Sequence, residues 1–224
     1  IDDAIIFLSA LQKYADLGVP WHRGYFFHGE PGTGKTSMVL ALASALGVNI
    51  YVMNLRTTSD KSLSNLINRV PPGNILLLED VDTVFEGRER KDKDMLESGA
   101  TFGGLINVLD GTLSKDGIVT VLTTNHADKL DPALIRPGRV DKKIYFGLAT
   151  HHQIGAMVRR FFPHQDVAHT AMAVSAVPTG TYSMAALQEH CLRYVDNISA
   201  FCDNVGEMEG THENTGDEVA ASGA

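Results

Sequence analysis

Apolar positions recur along the chain with two periods, and the switches between them predict the elements. Over residues 3–17, Ile6, Leu8, Leu11, Tyr14 and Leu17 fall near helical spacing, with Asp2 and Asp3 in the cap region. That predicts one helix, ended by Gly18 and Pro20. A short aromatic strand follows at 24–28, then a Gly-rich loop at 29–34 and a buried helix of small apolar residues at 37–46. Residues 49–55 are β-rich, and 62–70 form an amphipathic helix closed by Pro71 and Pro72. Four consecutive apolar residues, 75–78, predict a buried strand. The charged stretch 86–98 reads as a loop, 102–109 as a helix, and 118–124 and 142–146 as strands.

Strand and helix alternate over 24–146, the pattern of a five-stranded parallel sheet sandwiched by helices. From residue 151 the strand signal stops. Helices at 151–162, 166–174 and 183–195, separated by Pro163 and a turn at 178–182, predict a small all-helical unit. The expected division is an α/β body over 1–148, a helical unit over 149–204 and a disordered acidic tail over 205–224, where core formers are scarce.

Composition narrows the partners. The chain of 224 residues, 44% apolar, is long enough for one large domain or a medium one with a smaller appendage. Its net charge is −8, but the excess is local. After Arg193 there is no Lys or Arg, and seven acids follow: Asp196, Asp203, Glu207, Glu209, Glu213, Asp217 and Glu218. Without them the balance is 19 basic residues against 20 acidic. The body is therefore no polycation, and no nucleic-acid partner is expected. Two cysteines, Cys191 and Cys202, make neither a disulfide framework nor a zinc site, so a reducing compartment is expected. No run is apolar enough for a membrane helix and no leader is visible. A chain that begins at Ile1 reads as a piece of a longer protein, so any membrane attachment is expected upstream of it.

The candidate chemistry begins at Gly29-Glu30-Pro31-Gly32-Thr33-Gly34-Lys35-Thr36, with Ser37 next to it. This satisfies G-x-x-x-x-G-K-[ST] in full, after a strand and before a helix. Glycines let backbone N–H groups wrap a β-phosphate, Lys35 supplies charge between β- and γ-phosphates, and Thr36 offers a hydroxyl to Mg²⁺. The helix that follows aims its positive end at the same place. ATP and Mg²⁺ are the expected ligands, with Thr36, Glu79 and Asp80 as the metal-side set. The buried strand 75–78 runs into Glu79-Asp80-Val81-Asp82, where such a site needs one carboxylate near the metal and another to polarise water. Strand 118–124 ends at Asn125, an amide able to hold the attacking water or the γ-phosphate. Further on, Arg136 and Arg139 flank Pro137-Gly138 and are expected to project stiffly outward, where either could meet a neighbouring subunit's γ-phosphate. Four histidines, His22, His28, His151 and His152, lack the spacing of a metal set. The run 86–93 mixes both signs and reads as a solvated loop or a central-channel loop.

Taken in order, these motifs resemble the AAA family of ATPases. GEPGTGKT matches its phosphate loop, ILLLEDVD its acidic strand, and TTN followed by DPALIRPGRVD its second region of homology. A narrower resemblance is to the BCS1-type branch. It rests on residues 18–25 before the phosphate loop, on Glu79-Asp80-Val81-Asp82, and on residues 101–111, 146–150 and 182–188.

The resemblance implies a P-loop AAA+ sheet with a helical lid, ATP hydrolysis, and a homo-oligomeric ring of six or seven copies acting on a protein. It also implies a matrix-facing position at the mitochondrial inner membrane, where such a ring passes a folded iron–sulfur subunit. Glu79, Asp80 and Asn125 would act within one subunit, and Arg136 and Arg139 across to the next.

Two departures matter. Most AAA chains end the acidic strand in Asp-Glu, whereas here the order is Glu79-Asp80. Each carboxylate is thereby moved by about one bond length, enough to matter for catalysis. Either the backbone differs locally, or the water is reached through Asn125 or Asp82. Residues 54–63 also lack the aromatic-Gly pair with which threading rings grip unfolded chains. Two other roles stay open for such a domain: a nucleotide-dependent assembly switch with little turnover, or action on nucleic acid.

Overall fold

The computed structural model describes residues 1–86, 99–113 and 116–210. It divides into two compact units, residues 1–146 and 147–224. The first unit opens with α1 (Asp2–Leu8) and α2 (Leu11–Leu17), then runs β1 (His22–His28), α3 (Lys35–Leu46), β2 (Ile50–Asn54), α4 (Asp60–Asn68) and β3 (Ile75–Glu79). It continues with α5 (Thr83–Glu86), α6 (Phe102–Leu113), β4 (Ile118–Thr124), a 3-10 turn at Ala127–Lys129, and β5 (Lys142–Tyr145). The expected loop at 86–98 lies, beyond Glu86, outside the described residues.

All five strands are parallel, in the order β2-β3-β4-β1-β5. Period-two alternation splits the buried side chains between two faces. Tyr25, Phe27, Ile75, Leu77, Val119 and Val121 pack with Phe7 of α1 and Val39, Leu42 and Ala43 of α3. Phe26, Leu76, Leu78 and Leu122 pack with Leu63 and Ile67 of α4 and Leu105, Val108 and Leu109 of α6. A parallel sheet covered on both sides explains why its strands read as unbroken apolar runs. It also brings the carboxyl ends of β1, β3 and β4 to one edge, where α/β sheets bind ligands.

The first predicted helix is two. The Phe7 carbonyl, which a continuous helix would give to Leu11, is taken by the Ala10 N–H (3.0 Å) and the Trp21 indole (2.9 Å). Ser9 meanwhile donates its hydroxyl to Ile5 O. With its C-terminal carbonyls occupied, α1 stops and α2 restarts two residues later. The N-terminal helix is tied to the sheet by Asp3. Its carboxylate accepts from Arg23 (2.6 and 3.0 Å), Tyr25 (2.6 Å) and Lys142 (2.8 Å). Burial alone would raise the Asp3 pKa, but these donors outweigh it and hold the carboxyl well below the usual range.

The second unit contains α7 (His151–Phe161), α8 (Val167–Ala176), α9 (Met184–Arg193) and α10 (Ile198–Asp203), then a 3-10 turn at Val205–Glu207. Its core gathers Ile154, Val158, Phe162, Val174, Leu187, Cys191, Ile198 and Phe201. The fourth helix is too short to announce itself by periodicity, yet its Phe201 is fully buried. Coil was expected from 205, but Val205 and Met208 are buried in the same core, and the Val205 carbonyl accepts from Tyr182 Oη (3.3 Å). Two apolar anchors thus extend the folded unit beyond the point where composition turns acidic. Residues 211–224 of the expected tail lie outside the described residues. No helix among the described residues is long and apolar enough to cross a membrane.

Candidate active site

The phosphate loop leaves β1 at His28. Gly29 has φ +136°, and a Cβ there would lie 2.0 Å from the Phe146 carbonyl, so only glycine fits. Gly32 and Gly34 also take positive φ, 74° and 101°. Thr33 is buried and donates its hydroxyl to Glu30 O (2.7 Å), which closes the loop on itself. Glu30 accepts at its carboxylate from Tyr145 Oη (3.1 Å), a link from the loop to β5. Pro31 and Ser37 are exposed, on the loop crown and the first turn of α3.

Lys35 is 8% exposed, and its Nζ donates to the Gly29 and Glu30 carbonyls at 2.7 and 2.8 Å. Burial lowers its pKa, opposed by the charges of Asp80, Glu30 and Asp82. Gly34 is the N-cap of α3, and no side chain caps that helix. The first N–H groups of α3 therefore face the loop with no side-chain acceptor. A cradle that admits no Cβ at Gly29, a buried ammonium and an uncapped helix of 12 residues form a donor set for a polyphosphate.

The acids arrive from the neighbouring strands. The last β3–β4 pair in register is Leu78 with Leu122, and Glu79 is still paired with Asn54 of β2. Thr36 Oγ1 donates to Glu79 Oε1 at 2.9 Å. Two oxygens that a divalent ion would take as ligands, or as water partners, are thus already together. Asp80 follows at φ +48°, the one non-glycine residue with positive φ among the described residues. Asp tolerates this left-handed conformation better than most side chains. Its backbone N–H donates to Thr123 Oγ1 (3.3 Å) and the next, from Val81, to Thr123 O (3.0 Å). Burial, then the charges of Asp82 and Glu79, raise the Asp80 pKa, while Arg56 and Lys35 oppose them. A cavity of about 150 Å³, lined by residues including Asn54, Arg56, Glu79, Asp80 and Thr83, adjoins these acids.

Asp82 was one of two possible routes to the water. In the structure Asp82 is buried and accepts from Thr124 Oγ1 at 2.5 Å. The same hydroxyl accepts from His126 N (2.9 Å). Asn125, half-buried, sits between the two anchored residues and keeps a fixed place at the end of β4.

The two arginines part company. The Arg136 side chain is exposed and makes no hydrogen bond or ion pair among the described residues, although its charge is one of those that lower the Asp110 pKa. Arg139, expected to project outward like it, is 5% exposed. Its guanidinium forks onto Asp110 of α6 at 2.8 and 2.9 Å and donates a third bond to Ala133 O. That bridge holds the Asp110 carboxyl below its ordinary pKa. Three neighbours of the site had no signal in the sequence. Arg56 is a lone basic residue after a short strand, Tyr145 closes β5, and Thr123 is one of several β-branched strand residues.

A parallel sheet in this order, with a lysine-bearing phosphate loop after the interior strand β1 and acids at the end of β3, defines a P-loop nucleotide-binding protein. The profile described as "ATPase family associated with various cellular activities (AAA)" matches residues 25–148, and that of the "Mitochondrial chaperone BCS1-like, ATPase lid domain" matches 151–207. The chain belongs to the AAA family of ATPases, in its BCS1-like branch. Among curated relatives, "Probable mitochondrial chaperone bcs1" of Schizosaccharomyces pombe is 46% identical, over 84% of this chain and 42% of its own. "Mitochondrial chaperone BCS1" of Danio rerio is 39% identical over 93% and 52%, and that of Homo sapiens 41% over 74% and 41%. The chain therefore spans about half the length of these relatives.

Proposed function

We propose that this domain hydrolyses ATP in a cleft that a second copy of the chain completes, and that the cycle drives work on a protein. The observation that carries the reading is the Thr36–Glu79 contact at 2.9 Å, made where the buried Lys35 and the uncapped start of α3 meet the end of β3. Loop N–H groups from Gly29 to Gly34, Lys35 and the first turn of α3 hold the phosphates. Mg²⁺, held at Thr36 and Glu79, would neutralise charge on the β- and γ-oxygens. Asp80 orients and accepts a proton from the attacking water, and Asn125 fixes that water or the γ-phosphate. Arg136, exposed and uncommitted in its own chain, reaches the γ-phosphate of the neighbouring copy. Arg139 is kept for its own chain by Asp110.

Relatives named as mitochondrial chaperones support a protein substrate and a mitochondrial setting for this chain too. The absence of an aromatic-Gly pair in 54–63 favours handling a folded protein over threading an unfolded one. The near-neutral body gives nucleic acid no electrostatic hold.

The test is ATP turnover against protein concentration. Specific activity rises with concentration, since a monomer lacks the borrowed arginine. Asp80→Asn keeps ATP binding and stops turnover, and Glu79→Gln weakens the Mg²⁺ dependence. Turnover retained by Asp80→Asn, with ATP trapped by Glu79→Gln, would exchange the roles of the two acids.

A further inference from the structure

The turn that carries Arg136 is tied down along its backbone, while the Arg136 side chain has no bonded partner among the described residues. At its start Asp131 Oδ1 accepts from Ala133 N (2.9 Å). At its end Asp141 and Gly24 exchange two bonds, Gly24 N to Asp141 Oδ2 (2.7 Å) and Asp141 N to Gly24 O (2.8 Å). A Cβ on Gly24 would lie 2.1 Å from the Arg139 carbonyl, so the strand and the turn are in direct contact there. His22 Nε2 lies 3.1 Å from Gly138 O. None of these ties crosses the middle of the turn.

The crossing is made by Arg139. Its guanidinium reaches back to the Ala133 carbonyl and sideways to both oxygens of Asp110. The Arg136 carbonyl in turn accepts from the N–H groups of Arg139 (3.1 Å) and Val140 (3.2 Å). The backbone of Arg136 therefore inherits its place from Arg139, and Arg139 inherits its own from α6. Stability alone explains this poorly. Burying a guanidinium costs several kcal/mol even when paired, and a packed apolar residue often does as well or better. What an apolar residue cannot supply is a planar fork that fixes direction at both ends. The partner carboxylate is also 45% exposed while the arginine side chain is 4% exposed, so the bridge reaches from the interior to the surface that bears Arg136.

We propose that Asp110 is a positioning residue that, through Arg139, aims Arg136 at the phosphates of the neighbouring copy. The inference rests on the reading that Arg136 acts across an interface. Asp110 bonds to Arg139 and to no residue of the phosphate loop or the acidic strand end. Its effect belongs to the neighbour's cleft, not to the cleft of its own chain.

Three variants of the full chain, mixed in pairs with subunit exchange followed by fluorescence, test this. Asp80→Asn is defective in its own cleft and Arg136→Ala in its neighbour's. Asp110→Asn should lower kcat about tenfold to a hundredfold with KM for ATP nearly unchanged, the cost of misaiming a group by about 1 Å. Mixed with Asp80→Asn it should regain activity, because roughly one cleft in four then joins intact acids to a well-aimed arginine in a head-to-tail ring. Mixed with Arg136→Ala it should regain none. Wild-type kcat for Asp110→Asn overturns the proposal, as does rescue by Arg136→Ala in place of Asp80→Asn. Arg139→Lys breaks the same fork from the other side and must reproduce the pattern, which decides the matter if Asp110→Asn does not assemble. The pair Asp80→Asn with Arg136→Ala separates the two ideas. No recovery there sinks the cross-interface arginine and this proposal with it. Recovery there, but none for Asp110→Asn with Asp80→Asn, sinks the proposal alone.

Discussion

The helices of the C-terminal unit and the helix after the phosphate loop begin in opposite ways. Among the described residues of the C-terminal unit, every α-helix is capped at its start by a side chain. Thr150 and Gln153 form a capping box on α7, Asp166 caps α8, Ser183 caps α9 and Asn197 caps α10. Helix α3 starts at Gly34 with no side chain in that role. An unfilled helix start costs stability, since a good cap contributes about 1 kcal/mol. Helices α1 and α2 also start without a side-chain cap, and of the three it is α3 whose first turn carries the lysine and the threonine that meets Glu79. The same contrast holds for buried polar groups. The body buries Thr33, Lys35, Asp82, Thr123, Thr124 and Arg139 around the site, while the C-terminal unit buries Ser183 and His190. His190 there is satisfied by the Phe201 carbonyl at 2.9 Å. One unit is built for its own closure, and the other holds donors and charges ready for a ligand.

That contrast can be broken, and the arginines give the largest expected effect. Arg136→Ala should lower turnover about a thousandfold and leave both ATP affinity and melting temperature nearly unchanged. Arg139→Ala should destabilise the fold by about 1–3 kcal/mol, since it leaves the Ala133 carbonyl without its guanidinium donor, while Asp110 keeps its contact with solvent. Turnover and thermal denaturation measured side by side distinguish the two. Equal loss of stability in both variants would mean that Arg136 also serves its own chain.

Lys35→Ala comes next. It should weaken ATP binding about a hundredfold, ~3 kcal/mol, measured by calorimetry with Mg²⁺ present. Unchanged affinity would remove the donor-set reading of α3 and its loop.

Helix α1 offers a third case, because it has no side-chain cap and is held by Asp3 instead. The folded-state pKa of Asp3 is depressed, so its contribution is present above its ordinary value of 3.8 and is lost as pH falls toward the folded value. Asp3→Asn should therefore lower the melting temperature at neutral pH and flatten its decline below about pH 4. A decline as steep as in the unaltered protein would assign the acid sensitivity to other carboxylates. The smallest effect is expected from Ser183→Ala, about 1 kcal/mol of stability with no change in ATP affinity. A shift in affinity would show that the cap is not confined to structural work.

Much of this is legible in the sequence. The alternation from β1 to β5, the run of four apolar residues before Glu79 and the phosphate-loop pattern are local signals, each carried by spacing within a dozen residues. The misreadings share one cause. The break at Ser9–Ala10 depends on Trp21 reaching the Phe7 carbonyl, and the ordered turn at Val205–Glu207 depends on Tyr182, 23 positions upstream. Neither partner is visible from local composition. The bond that Asp82 accepts from Thr124, 42 positions away in the chain, is just as invisible to local composition.

What the chain determines by itself is the class of fold and the inventory of chemical groups. Hydrophobic period, glycine and proline placement and residue type are properties of neighbours along the backbone. What only the tertiary structure decided is the use of those groups. Arg136 and Arg139 stand three residues apart with the same charge, and nothing in DPALIRPGRVD says which is committed. The commitment comes from Asp110, 29 positions before Arg139, which the packing of α6 brings to one guanidinium and not the other. A guanidinium's role is set by whichever carboxylate and carbonyl lie within about 3 Å of it, and such proximity is a property of the folded chain in space.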